Sequence, residues 1–199
     1  MVQINMSNIT KGQDVLLSEI DPGLKRIMVG LGWDVPENKD GNPVDLDASA
    51  FLLNTHDKTR QDTDFVFYNN LETEKGNIRH MGDNNTGEGD GDDEKIEINL
   101  GALPYDVAKI VFSVTIHNCR DRQQNFGMVT NAYIRVVNLD TNTELARFDL
   151  SEDASDEDGF IFGELSRDMG GWKFTAIGLG SIGGLYKIAR GFNVNVAPN

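Results

Sequence analysis

The chain has 199 residues, is 39% hydrophobic, and carries 21 glycines against 5 prolines. That composition excludes collagen-like, disordered and disulfide-scaffold classes and suits a loop-rich globular fold of one domain over residues 1–199. A lone cysteine, Cys119, excludes an internal disulfide and any multi-cysteine zinc or iron-sulfur site. Eighteen Lys and Arg against 32 Asp and Glu leave a net charge of -14, and most of it is concentrated. Residues 34–47, 83–94 and 149–158 together hold 17 acids and one base, Lys39, so the rest of the chain is near neutral. Three negative patches on a neutral domain repel nucleic-acid phosphates and attract cations.

The amino end (MVQINMSNIT) lacks a basic start followed by an apolar run, and no stretch approaches 18 apolar residues, so neither a signal peptide nor a membrane span is expected. From there, runs rich in Val, Ile, Phe and Thr recur at residues 26–32, 46–53, 63–68, 96–100, 109–116, 132–137, 144–150, 160–165 and 172–177. Each is bounded by Gly, Asn, Asp or Pro, as strands joined by turns are. In 96–100, Ile96, Ile98 and Leu100 alternate with Glu97 and Asn99, which gives one wet face. The expected fold is all-β, an antiparallel sandwich with one or two short helices, at 119–126 (CRDRQQNF) and 185–190 (LYKIAR).

The densest chemistry lies at residues 83–94, DNNTGEGDGDDE. Its side-chain donors are all oxygen, which selects a hard cation over zinc or copper. Gly87, Gly89 and Gly91 let the backbone turn sharply, so carbonyls and carboxylates can converge. Two carboxylates about 6 Å apart repel by roughly 0.7 kcal/mol at the dielectric of water and nearly ~3 kcal/mol at an effective value of ~20, a cost that a divalent ion turns into affinity. A flexible, oxygen-rich loop favours calcium over magnesium, which demands a tight octahedron. The twelve-residue span starts like an EF-hand loop at Asp83, but Glu88 stands where that loop needs glycine, and the flanks read as strands.

A second acidic group lies upstream. Asp34 closes one strand, and Asp45 and Asp47, two apart, share a face of the next; a hairpin through residues 37–42 would bring Asp34 to Asp45. Asn69 and Asn70 could add amide oxygens. Strict up-and-down counting, with 77–81 as a full strand, puts residues 83–94 at the opposite end of the sandwich, so convergence requires that segment to be short or crossing. The third patch, 149–158, lacks internal glycine and reads as a turn or helix start.

Other signals are weaker. Gly178, Gly180 and Gly183 spell GxGxxG, yet no acidic residue follows Asp168 and too little chain remains for a dinucleotide unit, which leaves a packing turn or a site for an anion. His117 and Cys119 supply only two ligands and no supporting nucleophile motif. Trp33 and Trp172 read as core or site-wall residues.

In order, GLGWD (30–34), DLDASAFLL (45–53), DFVFYNN (64–70), GDNNTGEGDGDDE (82–94), IVFSVTIH (110–117), ARFDLSEDAS (146–155) and FGELSR (162–167) resemble the TerD family of bacterial tellurium-resistance and stress proteins over essentially the whole chain. The resemblance implies a non-enzymatic β-sandwich with two neighbouring calcium ions. It carries metal roles onto Asp34, Asp45, Asp47, Asp83, Asn84, Thr86, Gly87, Glu88, Asp90, Asp92, Asp93 and Glu94, and gives none to residues 156–158. It also implies a cytoplasmic role in resistance to tellurite and other stresses beside other stress-operon proteins, some membrane-associated; the acidic patches separately argue against nucleic-acid binding, and the lack of a long apolar run against membrane insertion. The competing reading is an enzyme in which a metal bridges a phosphate or nucleotide to the acids.

Overall fold

The computed structural model describes residues 8–34, 44–82, 91–150, 156–169 and 171–197. Among these, eleven strands form two antiparallel sheets: β1 (Asp14–Leu16), β2 (Arg26–Asp34), β3 (Leu46–Leu53), β4 (Phe65–Val66), β5 (Ile78–His80), β6 (Glu94–Asn99), β7 (Lys109–Ile116), β8 (Thr130–Asn138), β9 (Thr143–Asp149), β10 (Gly159–Asp168) and β11 (Gly171–Ser181). One sheet runs β1-β11-β10-β7-β3-β4 and the other β5-β6-β2-β8-β9. The β-branched runs read from the sequence are these strands, because alternation buries one side of each against the facing sheet. Ile27, Val29 and Leu31 of β2, Ile96 and Ile98 of β6, and Phe112 and Val114 of β7 all lie in that core.

Three short α-helices, α1 (Leu17–Ile20), α2 (Cys119–Arg122) and α3 (Gly184–Gly191), and three single 3-10 turns complete the described chain. α2 and α3 fall where helix was expected; β1 and α1 carry too few residues to stand out in sequence. A second apolar cluster, with Phe51, Leu53, Phe65 and Val111 on the outer face of the six-stranded sheet, is roofed by Ile188, Ala189 and Val194. Burying a Phe, Leu or Ile contributes about 1.5–3 kcal/mol, so these clusters outweigh the repulsion among a few rim carboxylates.

Two features of topology place the acidic residues. First, β2 and β3 lie in different sheets, so the expected β2–β3 hairpin is absent: the chain crosses the sandwich between Asp34 and Asp45. Second, the chain makes an extra reversal after β4. Phe67 and Asn70 exchange backbone hydrogen bonds at 2.9 and 3.0 Å, and the chain returns past β5, with His80 N–H donating to Leu71 O at 2.7 Å and Thr73 N–H to Ile78 O at 3.1 Å. β5 is only three residues long. The segment is therefore short, as convergence requires, and it ends at the same end of the sandwich as Asp34 and Asp45. Asn70 spends its amide on the turn, where Nδ2 donates to Phe65 O at 2.6 Å.

Candidate metal centre at the acidic end

The end of β2 and the starts of β3 and β6 meet at one rim. Leu31 of β2 pairs with Glu94 of β6, and Asp34 pairs with Thr130 of β8. Leu46 of β3 pairs with Ile116 of β7, and His117 N–H donates to Asp45 O at 2.8 Å. Of the twelve residues expected to meet metal, Asp34, Asp45, Asp47, Asp92, Asp93 and Glu94 stand on this rim. Asp83, Asn84, Thr86, Gly87, Glu88 and Asp90 lie outside the described residues.

Asp45, Asp47 and Glu94 come together. Alternation along β3 sends Leu46, Ala48 and Ala50 into the core between the sheets, so Asp45 and Asp47 share the outer face, as expected. Glu94 occupies an inner-facing position of β6 and is 1% exposed. Its Oε2 crosses to the other sheet and accepts the N–H of Ala48 at 2.5 Å. β4 pairs with β3 only at Ala50 and Phe51, so the edge of β3 beside Ala48 is open to this side chain. Asp47 is pushed up to about 7, chiefly by burial and then by the charges of Asp45 and Glu94, against the relief offered by His117. His117 Nδ1 lies 3.2 Å from Asp47 Oδ2.

Asp34 and Asp93 form a second pair. Asp93 N–H donates to Leu31 O at 2.8 Å, and its Oδ2 accepts the backbone N–H of Trp33 at 2.8 Å. Burial raises the Asp93 carboxyl, the Trp33 hydrogen bond opposes this, and the charges of Asp34 and Asp92 add to it. Asp34 is exposed at the strand end, where Oδ2 accepts from Asn131 Nδ2 at 2.6 Å.

Asp92 turns elsewhere. It lies on the outer face of the five-stranded sheet, where Arg135 Nε and Nη2 donate to its two oxygens at 2.7 and 2.9 Å and the Tyr133 hydroxyl adds a bond of 3.1 Å. A Cβ on Gly30 would stand 2.4 Å from the Asp92 carboxyl, and one on Gly32 would stand 2.4 Å from the Tyr133 ring. The two glycines of the 30–34 motif are therefore notches that let both side chains lie against β2. Among the described residues, no group of three or more His, Cys, Asp or Glu closes around a point that could hold a metal.

Beside the rim, a cleft of about 250 Å³ is lined by Asp47, Tyr68, His117, Cys119, Asp158 and Tyr186, among others. Asp158, Cys119, His117 and Asp47 are bonded within the protein. Asp158 Oδ1 accepts the N–H groups of Gly183 and Gly184, both at 2.7 Å, and Cys119 Sγ donates to Asp158 Oδ2 at 3.6 Å. The glycine turn does hold an anion at the start of a helix, and that anion is the protein's own. His117 takes Asp47 as its ring partner.

Sequence reasoning left out His80, Tyr133, Arg135 and Asp158. For His80 a signal existed: Ile78, Arg79 and His80 alternate, so His80 is a polar residue at an inward position directly before the acidic loop. Gly30 and Gly32 within a strand were likewise a sign of close approach. Nothing local announced Asp158, whose partners lie 25 and 26 residues on.

Comparison with known proteins agrees with this architecture. A model of the TerD domain matches residues 6–192. The chain is 53% identical over 190 residues to "Tellurium resistance protein TerD" of Alcaligenes sp, covering 96% of this chain and 98% of that protein. It is 49% identical over 189 residues to "General stress protein 16U" of Bacillus subtilis (strain 168), covering 95% and 98%. A crystal structure of a homologue of telluride resistance protein (TerD) from Streptomyces coelicolor A3(2) shares the fold, with a TM-score of 0.69 at 24% identity over 84% of this chain and 96% of that one. Among the described residues, no helix is long and apolar enough to cross a membrane. The chain belongs to the TerD family of tellurium-resistance and stress proteins.

Proposed function

We propose that this protein is a non-enzymatic, calcium-binding module of the cytoplasmic response to tellurite and related stresses, in which two neighbouring ions order the acidic rim for docking of other stress-operon proteins, some of them membrane-associated. The observation that carries the reading is the crowding around Asp47, whose charge is disfavoured by burial and then by Asp45 and Glu94, all three being at most 9% exposed. Buried anions that repel each other call for a cation, and an all-oxygen donor set fits calcium. Asp45, Asp47 and Glu94 would contribute to one ion, and Asp34 and Asp93 to its neighbour. Asp83, Asn84, Thr86, Gly87, Glu88 and Asp90 would complete both. Asp92 would act from one remove, because Arg135 already neutralises it. Resistance and stress roles rest on relatives with those names. The enzymatic alternative draws no support from the glycine turn, since Asp158 occupies its N–H groups.

Thermal unfolding tests the calcium reading. At a hundredfold excess over the dissociation constant each independent site adds about 2.7 kcal/mol to stability. The melting temperature should therefore rise by several degrees from chelator to calcium, and equal values in the two buffers would refute it.

A further inference from the structure

We infer that His80 is a positioning residue for the acidic rim, one ring set between Glu94 on one side and Gly82, directly before the acidic segment, on the other. The inference rests on the calcium reading above.

His80 ends β5 with its side chain turned into the sandwich, and is 3% exposed. Its Nδ1 accepts the N–H of Gly82 at 3.3 Å. An acceptor nitrogen carries no proton, so in the neutral ring this bond assigns the proton to Nε2. Nε2 lies 3.3 Å from Glu94 Oε2, the atom that also receives Ala48 N–H. That contact falls outside hydrogen-bond geometry, and Nε2 has no other partner among the described residues. A buried donor therefore points at the rim with its capacity unspent, beside a carboxylate shared between two sheets.

The surroundings show that the imidazole is not simply filling space. Neighbouring inward positions are Ile78, Ile96 and Ile98, and an aliphatic side chain would fill this one without the cost of burying two ring nitrogens. What the ring adds is a polar group beside each of the residues that bracket 83–93: Nδ1 accepts the Gly82 N–H, and Nε2 lies 3.3 Å from Glu94 Oε2. Gly82, two residues past the end of β5, has φ +119°, a conformation open to glycine. Orienting Glu94 and Gly82 before an ion arrives reduces the ordering that binding must supply, and residues that orient metal ligands in this way are worth about 10- to 100-fold in affinity.

The test compares the parent with His80→Leu and His80→Gln by calorimetric titration of chelator-treated protein with calcium chloride. His80→Leu should stay folded by circular dichroism and lose at least about tenfold in calcium affinity. His80→Gln keeps a donor near the position of Nε2 and should recover most of that loss. Parental affinity in His80→Leu would overturn the inference, as would equal losses in both variants. If the parent itself takes up no calcium, the calcium reading falls, and amide exchange decides the role of His80 on its own: faster exchange at Gly82 and Ala48 in His80→Leu supports it, and unchanged rates refute it.

Discussion

The carboxylate of Glu94 accepts the backbone N–H of Ala48 from the opposite sheet, and so bridges the two sheets beside a stretch of β3 that β4 does not cover. This bond makes Glu94 structural before any ion is considered. Glu94→Ala leaves the Ala48 N–H buried without an acceptor, at a cost of about 1–3 kcal/mol. In denaturant titrations under chelator, the unfolding free energy should fall by that amount, with a correspondingly lower midpoint. Glu94→Gln retains an acceptor and should fall less, yet lose its response to calcium. An unchanged midpoint for Glu94→Ala would show that the bond contributes nothing.

Gly30→Ala sets a methyl 2.4 Å from the Asp92 carboxyl. Either Asp92 leaves Arg135 or β2 bends, and steric insertions of this kind cost about 1–3 kcal/mol. The variant should melt lower than the parent, whereas in an Asp92→Ala background, where the clash is gone, the same change should be nearly silent. Additive losses in the double variant would contradict the close approach.

Asp158→Asn tests the internal anion of the glycine turn. Removing the charge weakens the cap of α3 by roughly 1 kcal/mol and should speed amide exchange at Gly183 and Gly184. The Cys119 thiol is pushed up by burial and then by the charge and hydrogen bond of Asp158. The variant should therefore react with iodoacetamide at a lower pH than the parent. Identical pH profiles would show that Asp158 does not govern the thiol.

Tyr133 is pushed up from 10.0 to about 12, by burial first and then by the charge and hydrogen bond of Asp92. The folded state thus holds the phenolic proton more tightly than the unfolded chain does. Its stabilising contribution is complete below pH 10 and is lost as pH rises through about 12. Ultraviolet titration should show one late phenol that disappears in Tyr133→Phe and titrates earlier in Asp92→Asn. A midpoint unmoved by Asp92→Asn would assign the shift to burial alone.

The strands were legible because their cause is local. Residues 109–116, KIVFSVTI, alternate and branch as a central strand must, and they form β7. The helix near 119 could be read from a stretch without β-branched residues, CRDRQQNF, and the one near 185 from the short run LYKIAR. The course of the chain between strands was not legible: residues 35–43 are compatible with a turn back or a crossing, and only the pairing of β2 with β6 and β8, and of β3 with β7, decides for a crossing. The same limit applies to the rim. Composition marked Asp92, Asp93 and Glu94 alike as acids in a loop, but their neighbours send one to Arg135, one to the Trp33 backbone and one across the sandwich to Ala48. Asp45 and Asp47 were read correctly as sharing a face because a separation of two residues fixes that in any strand.

The proposed uptake of calcium by the crowded carboxylates of the rim underlies the roles given to them above. Isothermal titration of metal-free protein with calcium chloride measures this directly, with Asp47→Asn as the paired variant. The account predicts saturable heat with two ions per chain in the parent and weakened uptake in the variant. A flat titration of the parent at millimolar calcium would contradict it.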